Sequence, residues 1–112
     1  MAYDEELAHR IREATQDVDG VVEMRMFGGL AFLVGGNMAV AASGNGGLMV
    51  RVAPEHGAEL LSEAHAEPME MRGRSMTGWL RVVDAGIDSD TDLVRWVARG
   101  VTYAQSLPAK KR

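Results

Sequence analysis

The sequence predicts an α+β fold: an antiparallel β-sheet of five to six strands arranged as a meander, with N-terminal, middle and C-terminal helices packed on it. Three observations carry this. Helical three- and four-residue periodicity marks both ends of the chain, short runs of strand-type residues fill the space between, and glycine-rich turns split those runs. Strands joined by such short turns must be antiparallel neighbours.

Asp4 to Asp17 reads as the first helix. Leu7, Ala8, Ile11, Ala14 and Thr15 recur at helical spacing, and acidic residues sit at the positive end of the helix dipole. Asp17-Val18-Asp19-Gly20 closes it. Val21 to Phe27 then alternates, with Val22, Met24 and Met26 on one face and Glu23, Arg25 and Phe27 on the other. The pairs Gly28-Gly29 and Gly35-Gly36 are turn positions, because glycine tolerates positive φ. Leu30 to Val34 and Met38 to Ala42 are nearly all apolar, so both of their faces are expected to be covered. After the turn Ser43-Gly44-Asn45-Gly46-Gly47, Leu48 to Val52 alternates again.

Ala53-Pro54-Glu55 opens the middle helix, with proline at its first position, and a weak apolar stripe extends it to about Ala64. Two more strands are expected at Pro68 to Arg72 and Met76 to Val83, around Gly73-Arg74. Ser89 or Asp90 caps the last helix. Along it run two stripes: Leu93, Val94, Val97, Val101 and Ala104, and beside them Trp96, Gly100, Tyr103 and Leu107. Apolar residues spread this broadly imply more than one buried contact, and the second stripe is a candidate homodimer contact. Residues 107–112 form a basic tail expected to fray. No linker or repeat divides the chain, so residues 1–112 read as one domain.

The bulk properties narrow the function. A chain of 112 residues can bury a real core. Twelve basic against 16 acidic residues give a formal charge of -4, which disfavours a phosphate backbone unless the cations cluster on one face. With no cysteine, disulfides, thiolate metal sites and cysteine nucleophiles are excluded. The acidic start is unlike a secretory signal, and no apolar run approaches the ~20 residues of a membrane span. A soluble, cytoplasmic protein is expected.

Few residues are patterned for chemistry. His9, His56 and His65 lack ligand spacing. Asp88-Ser89-Asp90-Thr91-Asp92 imitates the start of a calcium loop, but Leu93 and Arg99 stand where that loop needs glycine and glutamate. The glycines at 44–47 precede a strand rather than a helix, so they do not make a phosphate cradle. Ser75 has no partner to activate it. No catalytic residue, cofactor or metal ligand is assigned, and the chain is read as a non-enzyme.

Arg25, Arg51 and Arg81 fall mid-strand, with Arg72 and Arg74 flanking a turn. Together with Phe27 and Trp79 they form a candidate interaction surface on one sheet face, of the arginine-aromatic kind that binds single-stranded nucleic acid. The competing reading is a solvated face paired with Glu23 and Glu70, or a subunit interface. Eight methionines, seven of them in or beside strands, fit an adaptable core or a plastic partner surface.

The block Arg25-Met26-Phe27-Gly28-Gly29 resembles the signature of the TfoX N-terminal domain family. Gly35-Gly36-Asn37-Met38, Leu48-Met49-Val50-Arg51-Val52, Pro68-Met69 and Met76-Thr77-Gly78-Trp79 follow in the family's order. The resemblance implies a regulatory domain. Larger members are implicated in switching on natural competence genes with the cyclic-AMP receptor protein, and they carry a second, carboxy-terminal domain. This chain, ending at Arg112, is expected to be a standalone copy. The family supplies no catalytic residues to carry over. The expected function is a protein-interaction domain, a transcription co-regulator with a protein partner, with direct nucleic-acid binding and small-ligand binding as alternatives.

Overall fold

The computed structural model describes residues 4–26, 28–44, 46–71 and 73–108. Its elements are α1 (Glu5–Ala14), β1 (Val21–Met26), β2 (Gly29–Val34), β3 (Asn37–Ala42), β4 (Leu48–Arg51), α2 (Pro54–Leu60), β5 (Ala66–Met71), β6 (Arg74–Val82) and α3 (Asp90–Ser106). The expected α+β class is found, with six antiparallel strands and the terminal helices on one face.

Sequence dictates both helix starts. The Asp4 carboxylate accepts from the backbone N–H groups of Glu6 and Leu7 at 2.9 and 3.2 Å. The Ser89 hydroxyl accepts from Asp92 N–H at 3.1 Å. α1 stops short of the expected Asp17, because Thr15 leaves helical geometry and turns its hydroxyl back onto the Ile11 carbonyl at 2.9 Å. α2 is only seven residues long and ends well before Ala64. The chain must reverse there: His65 adopts φ 69°, and its carbonyl accepts from Val83 N–H at 3.0 Å as β5 begins.

The first four strands form the expected meander. Gly35 and Gly36, at φ 61° and 81°, make the β2–β3 hairpin turn, where two consecutive positive φ values match the strand twist. β2 and β3 are buried along their full length, as their unbroken apolar runs require. The meander does not continue through β5. The strand order is β1-β2-β3-β4-β6-β5, so the chain leaves β4, crosses by α2, lays β5 at the far edge and returns with β6 against β4. Composition explains the exchange. β6 carries Leu80 and Val82, both fully buried, whereas β5 holds Glu67, Pro68 and Glu70, and proline suits only an edge.

The main core lies between the sheet and the helices. Leu7 and Ile11 of α1 and Leu93, Trp96, Val97 and Val101 of α3 meet Phe32, Val40, Leu48, Val50, Leu80 and Val82. A second cluster, Ala31, Leu33, Met38, Ala41 and Met49, lies on the opposite face with Met69 and Trp79 against it. α1 and α3 are neighbours, tied by Arg10, which donates to the Ile87 carbonyl at 2.8 Å and meets Asp90 at 3.2 Å.

Candidate functional site

The strand register divides the arginine set. Arg51 lies opposite Trp79 and Met49 opposite Arg81, which places Arg51 and Arg81 on the face turned away from the helices. Arg25 lies opposite Leu30, a residue of the main core, so Arg25 and Glu23 occupy the helix-bearing face at the rim of β1. The single cationic face expected from the sequence is therefore split between the two sides of the sheet. Arg74 opens β6 by its backbone position, while Phe27, Arg72 and the tail at Ala109–Arg112 lie outside the described residues.

The arginines of the far face are engaged within the fold. The Arg51 guanidinium carbon stands 5.8 Å from the Trp79 ring centroid and 5.6 Å from that of Tyr103. It thus joins the sheet face to the last helix by cation–π attraction. Arg81 donates to the Gly46 carbonyl at 3.0 Å, and the Asp84 carboxylate accepts from Gly47 N–H at 3.2 Å, so both fix the β3–β4 turn.

The second stripe of α3 is divided as well. Trp96 is fully buried in the chain's own core. Gly100 sits where any Cβ would collide with the Ala39 carbonyl oxygen and crowd the Val40 side chain, so glycine here brings α3 down onto β3. Both residues therefore belong to the core and offer nothing to a second copy. Tyr103 and Leu107 remain half-buried. Beyond them Asn37, itself buried, donates to the Pro108 carbonyl at 2.9 Å and anchors the end of the helix to the Gly35-Gly36 turn.

A cleft of about 690 Å³ opens between α2 and α3, lined by Val52, His56, Leu60, Arg99, Thr102 and Tyr103 among others. Arg99, on its wall, belongs to an ion-pair ladder not anticipated from the sequence. Glu63 meets Arg99 at 2.7 Å and Arg95 at 3.0 Å, and the Arg99 guanidinium carbon lies 4.5 Å from the Trp96 ring centroid. The Arg99 hydrogen bond, followed by its charge and that of Arg95, holds the Glu63 carboxyl below its ordinary value. The signal for it lies in the spacing: Arg95 and Arg99 stand four apart, on one helical face.

At the opposite end of the sheet, Arg12 forks onto both oxygens of Glu23 at 2.7 and 2.8 Å. That bidentate hydrogen bond lowers the Glu23 pKa. Beside it Val22 is 46% and Met24 36% exposed, on the side of β1 turned away from the helices. Large apolar side chains left open on an edge strand are what a docking surface requires. Among the described residues no group of histidine, aspartate and glutamate could hold a metal ion. None of the described helices is long and apolar enough to cross a membrane.

A family model described as the TfoX N-terminal domain matches residues 13–104. No curated protein and no solved structure matches this chain.

Proposed function

The chain belongs to the TfoX N-terminal domain family, a family of competence-related regulatory domains, and from that membership we propose that it acts as a non-enzymatic protein-interaction domain. In this reading it is a transcription co-regulator of the cytoplasm that recruits a protein rather than reading DNA. The observation that carries the proposal is the pair Val22 and Met24, exposed side by side on an edge strand. The division of the arginines between two faces weighs against a nucleic-acid surface, which needs its cations together.

Affinity capture of the tagged chain from its native host, with and without nuclease, tests the reading. The expected result is a protein retained by the wild-type chain after nuclease treatment and lost by Met24→Lys, a substitution on an exposed side chain. Partners that vanish with nuclease and ignore Met24→Lys would overturn the proposal in favour of direct nucleic-acid contact. That contact would show an affinity falling steeply with salt.

A further inference from the structure

We infer that β1 is a self-pairing edge: its occupant is β1 of a second copy of this chain, joined antiparallel so that two sheets become one. The inference deepens the interaction-domain reading and rests on it.

Three features point to this occupant. β1 pairs with β2 on one side and has no strand neighbour on the other among the described residues, so its outer N–H and C=O groups face outward. Val22 and Met24 are two of the three exposed large hydrophobics among the described residues. The strand also lacks most of the devices that blunt an edge, and the two charges it carries, Glu23 and Arg25, are of opposite sign and can complement each other across a join. Its sequence, Val-Val-Glu-Met-Arg-Met, has no proline or lysine, and its ladder to β2 runs without a register shift.

Symmetry and charge then select one register. A twofold axis normal to the sheet pairs residues of the same alternation set, which keeps the helices of both copies on one side. Two such registers engage five of the six residues of β1. Centred on Glu23, the pairing sets two carboxylates against each other. Centred on Met24, it sets Glu23 opposite Arg25 of the second copy, and Arg25 opposite Glu23 of the second copy. Met24 then meets its own equivalent, and Val22 lies opposite position 26. Arg25 has no ion pair within its own chain among the described residues, so it is available to the second copy. Glu23, gripped on both oxygens by Arg12, keeps lone pairs for a second guanidinium.

The test is sedimentation velocity of the full chain over a wide concentration range, with charge reversals at the two positions. Glu23→Arg or Arg25→Glu sets like charges across the join twice, and each is expected to weaken self-association by roughly tenfold. Combining both reversals in one chain sets opposite charges across the join again and is expected to recover association. An equimolar mixture of the two single variants is expected to form a mixed dimer more readily than either forms its own. Arg25 is exposed and Arg25→Glu spares the Arg12–Glu23 pair, so an unfolding midpoint close to that of the wild type separates lost association from lost folding. A chain monomeric at every concentration, or a dimer indifferent to the reversals, would overturn the inference. If such a chain still captured a foreign protein through Met24, the broader reading would stand without it.

Discussion

The two edges of this one sheet are built on opposite principles. β5, at one end, has Pro68, which offers no backbone donor, a register shift between Pro68 and Glu70, and an exposed Glu67. Each of these discourages a further strand. β1, at the other end, is regular, free of proline, and exposes Val22 and Met24, and its exposed charges, Glu23 and Arg25, are of opposite sign rather than all acidic. The contrast teaches that exposure at β1 is a local property of that strand rather than a general looseness of the sheet.

The strongest way to break the comparison is to remove what both edges share. Trp96 lies fully buried under the sheet centre, and Gly100 brings α3 close enough for the ring to reach it. Trp96→Ala should cost about 3–5 kcal/mol, the usual range for a buried aromatic. Chemical denaturation is expected to show one cooperative transition at lower denaturant, with β1 and β5 lost together. Separate loss of the two edges in hydrogen exchange would mean that they do not rest on one core.

A more selective change turns one edge into the other. Met24→Lys gives β1 the charge that protects natural edges. Met24 is 36% exposed, so the stability of the monomer is expected to move by no more than about 0.5 kcal/mol. Association and partner capture should fall together. An unfolding midpoint that fell substantially would show instead that Met24 is a core residue.

Much of this architecture is legible in the sequence, and the reasons are specific. The full burial of β2 and β3 follows from their unbroken apolar runs, and the Asp4 and Ser89 caps from side-chain type at the right offset. The place of β5 is harder to read, although Pro68 and the flanking glutamates argue for an edge. Long-range pairing depends on which strand best tolerates solvent, and that is a comparison between strands. The candidate surfaces are harder still. Alternation assigns residues to sets but does not say which set faces the helices, so it groups Arg25 with Arg51 and Arg81 although Arg25 lies across the sheet from them. Gly100 reads as part of an apolar stripe; its function as a contact between helix and strand depends on Ala39, 61 positions earlier.

The smallest effect separates the edges by their acids. Each end of the sheet has one carboxylate held down by arginine: Glu23 by Arg12 near β1, and Glu63 by Arg99 and Arg95 in the turn leading to β5. A carboxylate whose pKa is lower in the folded chain stabilises it above the ordinary value, and that stability is lost as pH falls through the lowered one. Both pairs should therefore weaken in acid below about pH 4.5, and neither should respond above neutrality. Glu63 has two arginine partners and a side chain 29% exposed, against one partner and 36% for Glu23. The less exposed, doubly held acid is less screened by water. Glu63→Gln should accordingly flatten the acid limb of a stability-against-pH curve more than Glu23→Gln does. The reverse order would place the stronger electrostatic clamp at the open edge, where Arg12 would then stabilise β1 as much as the core beneath it.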